Sequence, residues 1–568
     1  MKKTALVLLS LLTLIFPLFS LSNSQKIYSV DDPVYGYIRD LYLLEGLSTP
    51  STTGPWSGSE LEKMLSILDR ASLSEVSAGL YDRAFEIIKA DSSEPVFSLG
   101  LDVHEELFIH TNPSDEHFRG RENWWRGWEN ENQFLSIVTE GRFGSSLYGI
   151  FNLSFGVARD WRKSSGENPT YRSFADRVLW TNTPFVGPND IDQFNMNFPY
   201  RTFVAAGSDY WSLQFGRDRL NWGNGTTGNF VIDSHLKFHN MIRFSAFGGT
   251  FKYTFLISSF PHPMNYYYDD GSGNMIYDAM GLKRDDGSYY GQSQIINGIR
   301  AFIGHRLEWR IVPSLSFYLT EAVMYMSTEN RVDLVDFMPS YLYHNLYNRS
   351  NANSILSLEA DWSFAKGWNI YGQFVLDDLY LSGESPTNDG NIEPNALGFL
   401  AGITYAAGLG NGVLKFNLEG ALTQPYLYLR DGDEQDYDLN FVVALREMSG
   451  AAATQNYNLE YLGYKYGGDA LVGNLNASFS VPGSWSIGAN LLYMLHGSLS
   501  KTSHWSRVPA DKKQIPPTDP STTTIVAGLC AQCPLSYGFS IGAQADYVIM
   551  KNPDISDCQI TLCISYAI

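Results

Sequence analysis

The chain has 568 residues and a formal net charge of −20, with 14% aromatic residues, including 35 Tyr and 33 Phe, only 18% charged residues, and 50 Gly. So acidic a chain repels a phosphate backbone, which excludes nucleic acid as a partner. Many Tyr, Phe and Gly with few charges fit the strands and interfacial girdles of a membrane barrel.

The first 24 residues read as a secretory signal peptide. Lys2 and Lys3 form a basic start, Ala5 to Phe19 is apolar, and Ser20-Leu-Ser22 and Ser22-Asn-Ser24 offer small-x-small cleavage sites. No cysteine lies at that junction, so a lipoprotein is not expected. No apolar run long enough for a membrane helix follows. An exported protein of this kind is either soluble or a bacterial outer-membrane barrel.

Residues 25–93 have helical periodicity. Val34, Ile38, Leu41 and Leu44 share a face, and Gly46 ends the pattern. Ser57 with Glu60, and Ser72 with Glu75, have capping-box spacing, in which the hydroxyl caps an amide and the carboxylate reaches back. Leu61, Met64, Leu65 and Leu68 then share a face. Three short helices are too small a unit to stand alone, so they are expected to pack on something larger.

From residue 94 to 568 the period becomes two. Phe251, Tyr253, Phe255 and Ile257 alternate with Lys252, Thr254 and Ser258. Leu414, Phe416, Leu418 and Leu422 alternate with Lys415, Asn417 and Glu419. The chain ends on Ile560, Leu562, Ile564, Tyr566 and Ile568, one face of a final strand. Such segments number about 18, most of them near the roughly 9–11 residues that span a bilayer. Tight turns such as "AAGLGNG" alternate with polar connections near 162–199, 261–293, 330–352, 429–440 and 500–520. The pattern predicts an all-β transmembrane fold: an 18-stranded antiparallel outer-membrane barrel whose periplasmic side is plugged by the helices. A soluble β-sandwich array explains the alternation but accounts less well for the terminal strand and the lack of repeat spacing.

The stretch "FGRDRLNWGNGTTGNF" carries Gly223, Gly225 and Gly228 as G-x-G-x-x-G. A dinucleotide loop needs a helix after the glycines, and here loop and strand follow, so that reading fails. The glycines instead suit a loop at positive φ. Trp211, Leu213 and Phe215 face one way and Ser212, Gln214 and Asp218 the other. Arg217 and Arg219 break this parity, which puts them at the membrane edge or on a bulge. Two roles are open for Arg217, Asp218, Arg219, Trp222 and Asn224. They form a polar network at the barrel mouth with Trp222 in a girdle, or they contact carbohydrate by stacking and forked hydrogen bonds. Asp377 and Asp378 are secondary candidates. As strand neighbours they point to opposite faces, with a lumen salt bridge expected for one.

This stretch resembles the central signature of the Wzi-type capsule-assembly outer-membrane proteins, a Gly-Arg-x-x-x-x-Trp-Gly core followed by a Gly-rich turn and a strand. Asn224 stands where members often carry Pro. "VYGYIRDLYLLEGLSTPSTTGPWSGSELEKML", "FMPSYLYHNLYNRSNANSILSLEADW", "YGQFVLDDLYLSGE" and "YLGYKYGGDALVGNLNASF" are similar to further family segments, in order. The resemblance implies an 18-stranded barrel closed by a helical bundle. It also implies a lectin-like, non-enzymatic role: holding capsular polysaccharide or exopolysaccharide at the cell surface. The expected partners are surface polysaccharide and outer-membrane lipid, the expected state a monomer, and no cofactor or metal is expected.

An outer-membrane porin or oligosaccharide channel is the alternative. An enzyme is not expected, since His235, His239, His305 and His344 lie in no triad or metal motif. Cys530, Cys533, Cys558 and Cys563 have a zinc-like spacing, but each pair splits across the sheet faces. One disulfide between the pairs, or buried thiols, is the expectation.

Overall fold

The computed structural model describes residues 25–93, 97–112, 132–157, 172–174, 177–182, 194–197, 200–260, 267–269, 275–277, 298–328, 352–380, 390–430, 439–449, 454–503, 505–509 and 514–568. The signal peptide, His344 and most of the predicted polar connections lie outside these residues.

Eighteen strands form one closed ring. They are β1 (Phe97–His110), β2 (Leu135–Phe143), β3 (Leu147–Val157), β4 (Thr202–Ser208), β5 (Trp211–Asp218), β6 (His239–Phe247), β7 (Phe251–Phe260), β8 (Gly298–Val312) and β9 (Leu315–Thr328). They continue as β10 (Ala352–Ala365), β11 (Trp368–Asp378), β12 (Ala396–Leu409), β13 (Gly412–Thr423), β14 (Ala470–Ser480), β15 (Ser486–His496), β16 (Thr522–Pro534), β17 (Phe539–Lys551) and β18 (Ile555–Ala567). Each strand pairs antiparallel with its neighbours in chain order. The ring closes where β18 pairs with β1, Leu562 opposite Leu107, and the same alternation runs through β3 and β4, Ile150 opposite Phe203.

The predicted period of two is the lipid/lumen alternation. On β7, Lys252, Thr254, Leu256 and Ser258 are buried inward while Phe251 faces out. Every second connection is tight, as at Val312–Leu315, Ala365–Trp368 and Leu409–Gly412, and these turns share one end with the start of β1 and the end of β18. That end faces the periplasm in barrels of this kind. Trp211, Trp309, Trp362, Trp368 and Trp485 lie exposed on its outer rim and form the aromatic girdle.

Inside this end sit α1 (Pro33–Leu44), α2 (Gly58–Ser66) and α3 (Glu75–Ser93). Their apolar faces form one cluster, with Val34, Ile38 and Leu41 of α1 against Leu61 and Leu65 of α2 and Leu80 of α3. Lys415 Nζ to Asp40 Oδ1 (2.7 Å) and Gly367 N to Leu43 O (2.8 Å) fasten α1 to the wall. Asp32 caps α1, and Gly46 (φ +74) ends it as its composition foretells.

Two capping expectations are corrected. Ser57 does cap α2, accepting from Glu60 N at 3.3 Å, but Glu60 does not reach back, because its carboxylate pairs with Lys252 of the wall. For α3 the capping hydroxyl is Ser74, which accepts from Ser77 N at 3.2 Å, while Ser72 lies in a preceding 3-10 turn.

Candidate functional site

The signature stretch leaves β5 and turns into the lumen. Trp222 N donates to Ile232 O (3.0 Å), so residues 219–238 close as an inward loop. Asn221–Trp222 pairs with Thr53–Gly54, part of an extended strap that joins α1 to α2 through the barrel interior. Gly223 (φ +135) and Gly228 (φ +137) take the left-handed backbone that the glycine pattern predicts. Gly225 is needed for proximity instead, since a Cβ there would meet Gly228 O at 1.9 Å.

One wall carboxylate grips the loop tip. Glu419 accepts from Thr226 N (2.7 Å), Thr227 N (2.7 Å), Thr227 Oγ1 (2.6 Å) and Tyr371 OH (2.6 Å). Gln373 spans the next turn, giving its Nε2 to Asn229 Oδ1 (2.7 Å) and accepting from Phe230 N (3.2 Å). Asp361 does the same for the strap. It accepts from Thr49 N (2.9 Å), Thr49 Oγ1 (3.0 Å), Asn369 Nδ2 (2.9 Å) and Asn224 Nδ2 (2.6 Å). Arg306 forks onto Glu359 (2.6 and 3.0 Å) and donates to Thr52 Oγ1 (2.6 Å). Burying these charges is tolerable because each is hydrogen-bonded, and Arg306 and Glu359 are also paired with each other.

The sequence candidates divide. Asp218 (1% exposed) is a lumen hub that accepts from Arg201 Nε (3.1 Å), Gln214 Nε2 (2.8 Å) and Arg219 N (2.9 Å). Arg219 reaches Asp31 (2.6 Å). Asn224 lies on Asp361, as above. Arg217 stays on the outer face, where it donates to Asn240 Oδ1 (2.8 Å) and stacks 4.0 Å over Phe238. The β5–β6 ladder is unbroken at Arg217, so its break in parity marks the membrane edge and not a bulge.

Two placements are corrected. Trp222 is no girdle residue: it is fully buried in the lumen core, packed toward Gly304 and Arg306, because the loop turns inward instead of lying on the rim. Asp377 and Asp378 do not point to opposite faces. The ladder slips between Leu376 and Asp378, and that irregularity lets both carboxylates meet one inward segment. Asp377 accepts from Tyr428 N (2.9 Å) and Asp378 from Arg430 Nη1 (2.6 Å).

Cation–ring pairs occur at both ends, as with Lys63 over Tyr210 and Arg310 over Tyr42 at the helical end, and three of them lie toward the open, long-loop end. Lys237 sits 5.5 Å over Tyr200, Tyr200 stacks on Phe238 at 5.8 Å, and Arg217 also lies over Phe238. Across the mouth, Arg507 lies 6.0 Å over Trp505 and bridges to Glu393 (3.3 Å). The sequence reading missed Tyr200, Lys237, Trp505 and Arg507, since only the strand ends bring them into pairs.

Electrostatics of the inward segments favour a fixed assembly. Burial acts to raise the Asp233 carboxyl, but the hydrogen bond and charge of His235, with Lys465 nearby, outweigh it and hold it below the usual range. Burial pushes the Tyr428 and Tyr464 phenols well up, so both stay protonated. Tyr428 OH then donates to Phe230 O at 2.6 Å. Tyr42 in α1 is pushed up to about 12 by burial.

Among the described residues no group of three or more His, Cys, Asp or Glu is arranged to hold a metal. His235 bonds Asp233 (2.8 Å) and His239 bonds Ser258 (3.1 Å). None of the four cysteines forms a disulfide, and Cys530 is exposed, contrary to the expected cross-link or burial. Cys530 and Cys533 lie on β16 and Cys558 and Cys563 on β18, and β17 runs between them, which keeps the two pairs apart.

No protein-family model matches the chain, and no curated protein matches it. Its fold is similar to that of Wzi of Escherichia coli, described as an outer-membrane protein involved in group 1 capsule assembly and a carbohydrate-binding β-barrel. The two are 12% identical over 95% of this chain and 98% of that one, with a TM-score of 0.55. OccAB3 of Acinetobacter baumannii (7% identity, 83% and 99% coverage, TM-score 0.40) and OccAB4 of the same organism (8%, 84% and 98%, 0.39) overlap less.

Proposed function

Starting from a bacterial outer-membrane barrel with the Wzi-type fold, we propose that this protein binds polysaccharide at its outer mouth and anchors it to the cell surface, without chemistry and without passing it through the lumen. The observation that carries this reading is the tied-down interior. The strap and the inward loop pair with each other and are held to the wall by Glu419, Asp361 and Gln373. A channel would need these segments to leave, at the cost of many buried charge-assisted hydrogen bonds. A porin role is therefore the weaker reading.

The contacts belong to the mouth. Arg217, Lys237 and Tyr200 form one cation–ring patch, and Arg507 with Trp505 another. Rings stack on the CH faces of sugars, and guanidinium groups fork onto hydroxyls or acidic substituents. Asp218, Arg219, Trp222, Asn224, Asp377 and Asp378 support these patches from below by holding the loops in place. Each contact is weak, and a repeating polymer gains its affinity by engaging many copies.

The test is retention of purified surface polysaccharide from the producing strain on immobilised protein. Replacing Tyr200, Lys237, Trp505 and Arg507 by Ala together should abolish retention while the protein keeps its heat-sensitive gel mobility. Undiminished retention refutes the reading.

A further inference from the structure

On the β13–β17 side of the lumen lies a cavity of about 310 Å³ that the account of the mouth does not use. Its walls carry Lys415, Asn417, Asn476, Asn490, Gln544 and Asp546, and the tip of the inward loop overhangs it at Thr226. It opens toward the periplasm, as exposure along the strands indicates. Leu492, Val526 and Val548 are buried at the far end, while Asn490, Gln544 and Cys530 on the same strands, nearer the tight turns, reach solvent. The helices fasten mainly to the neighbouring strands, with Lys415 on Asp40 marking the border, and they touch this sector at the β14–β15 turn, where Gly483 N donates to Tyr37 OH (3.0 Å).

The lining is built and pinned. Asn490 Nδ2 donates to Asn474 Oδ1 (2.7 Å) and to Asn476 Oδ1. Gln544 Nε2 donates to Asp546 Oδ2 (2.9 Å), and Thr226 Oγ1 to Asn417 Oδ1 (3.1 Å). Asn476 thus spends its oxygen and keeps its amino group, while Gln544 spends its amino group and keeps its oxygen. Gly488 and Gly528 keep the floor flat. A Cβ at Gly528 would meet Asp546 Oδ1 at 2.3 Å, and one at Gly488 would meet Cys530 Sγ at 2.9 Å.

We propose that this cavity is a second binding site, facing the periplasm, for one or two units of a neutral saccharide. Asn476 offers a fixed donor from one wall of the cavity and Gln544 a fixed acceptor from the other, so different hydroxyls of one short saccharide can meet both. The volume lies at the lower end of ligand pockets and suits a short saccharide rather than a polymer. Side chains already pinned by the wall cost little to order on binding. The site is separate from the mouth, so it stands or falls independently of surface anchoring.

Cys530 supplies the reporter. In a full-length variant with Cys533, Cys558 and Cys563 changed to Ser, Cys530 is titrated with a maleimide in detergent, with and without maltose, lactose, sucrose or cellobiose. At least one disaccharide should slow labelling about threefold at twice its Kd, from mass action. That protection should vanish in Asn490→Leu and in Gln544→Leu, each checked for heat-sensitive gel mobility. The proposal is overturned if no disaccharide protects, if protection survives in whichever of the two variants folds, or if Cys530 does not react at all.

Discussion

Glu419 is the single residue on which most of the inward loop's tip depends, because four donors converge on its two oxygens. Glu419→Ala orphans Thr226 N, Thr227 N and Tyr371 OH. Each buried orphan costs roughly 1–3 kcal/mol, so a clear drop in the urea midpoint is expected, and an unchanged midpoint would refute the grip. Asp233 gives a pH signature. Its carboxyl is held low in the fold, so its stabilisation is complete above the unfolded value of about 4 and is lost as pH falls through the folded value. Asp233→Asn should therefore lose less stability than the parent between neutral pH and about pH 3, as read by denaturant midpoints. At this scale the sequence was only partly legible. The signature residues were visible as unusual, but Trp222 was misplaced because parity describes strands and says nothing of a loop that folds back inside. Asp377 and Asp378 were misread for a related reason: a ladder slip at Leu376 is invisible to alternation.

At the scale of elements, legibility was highest where one physical demand repeats. The alternation of β7, β13 and β18 was readable because each must present apolar residues to lipid and polar ones to the lumen. Helix capping was less so. Ser57 was found, yet Glu60 serves Lys252 of the wall, a partner that only the closed barrel supplies. Ser57→Ala should cost α2 about 1 kcal/mol through the lost cap. Gly223→Ala should cost more, roughly 1–3 kcal/mol for the strained backbone, and its Cβ would also press on Asn229 and Gln373. Thermal melts of the two variants side by side would check the order, which reverses if the loop is not held at positive φ.

For the whole molecule, closure and occlusion are what favour the proposed anchoring role over a channel. Eighteen strands enclose an interior wide enough for a channel, yet the described residues fill much of it with the strap, the inward loop and the helices. The intact protein should show little steady conductance in a planar bilayer. Replacing residues 222–232 by a short Gly-Ser linker should raise it, and an intact protein that conducts steadily would return the porin reading. The strand count and the helical plug were foreseen from sequence. The strap was not, because residues 47–57 carry no periodicity and acquire their role only from Thr53 and Thr52 meeting the loop and Glu308. The most direct test of the central claim is deletion of the gene in its own strain, with staining of cell-bound and shed polysaccharide. The account predicts that polymer is still made but is lost to the medium. Polymer that stays attached as in the parent would contradict it.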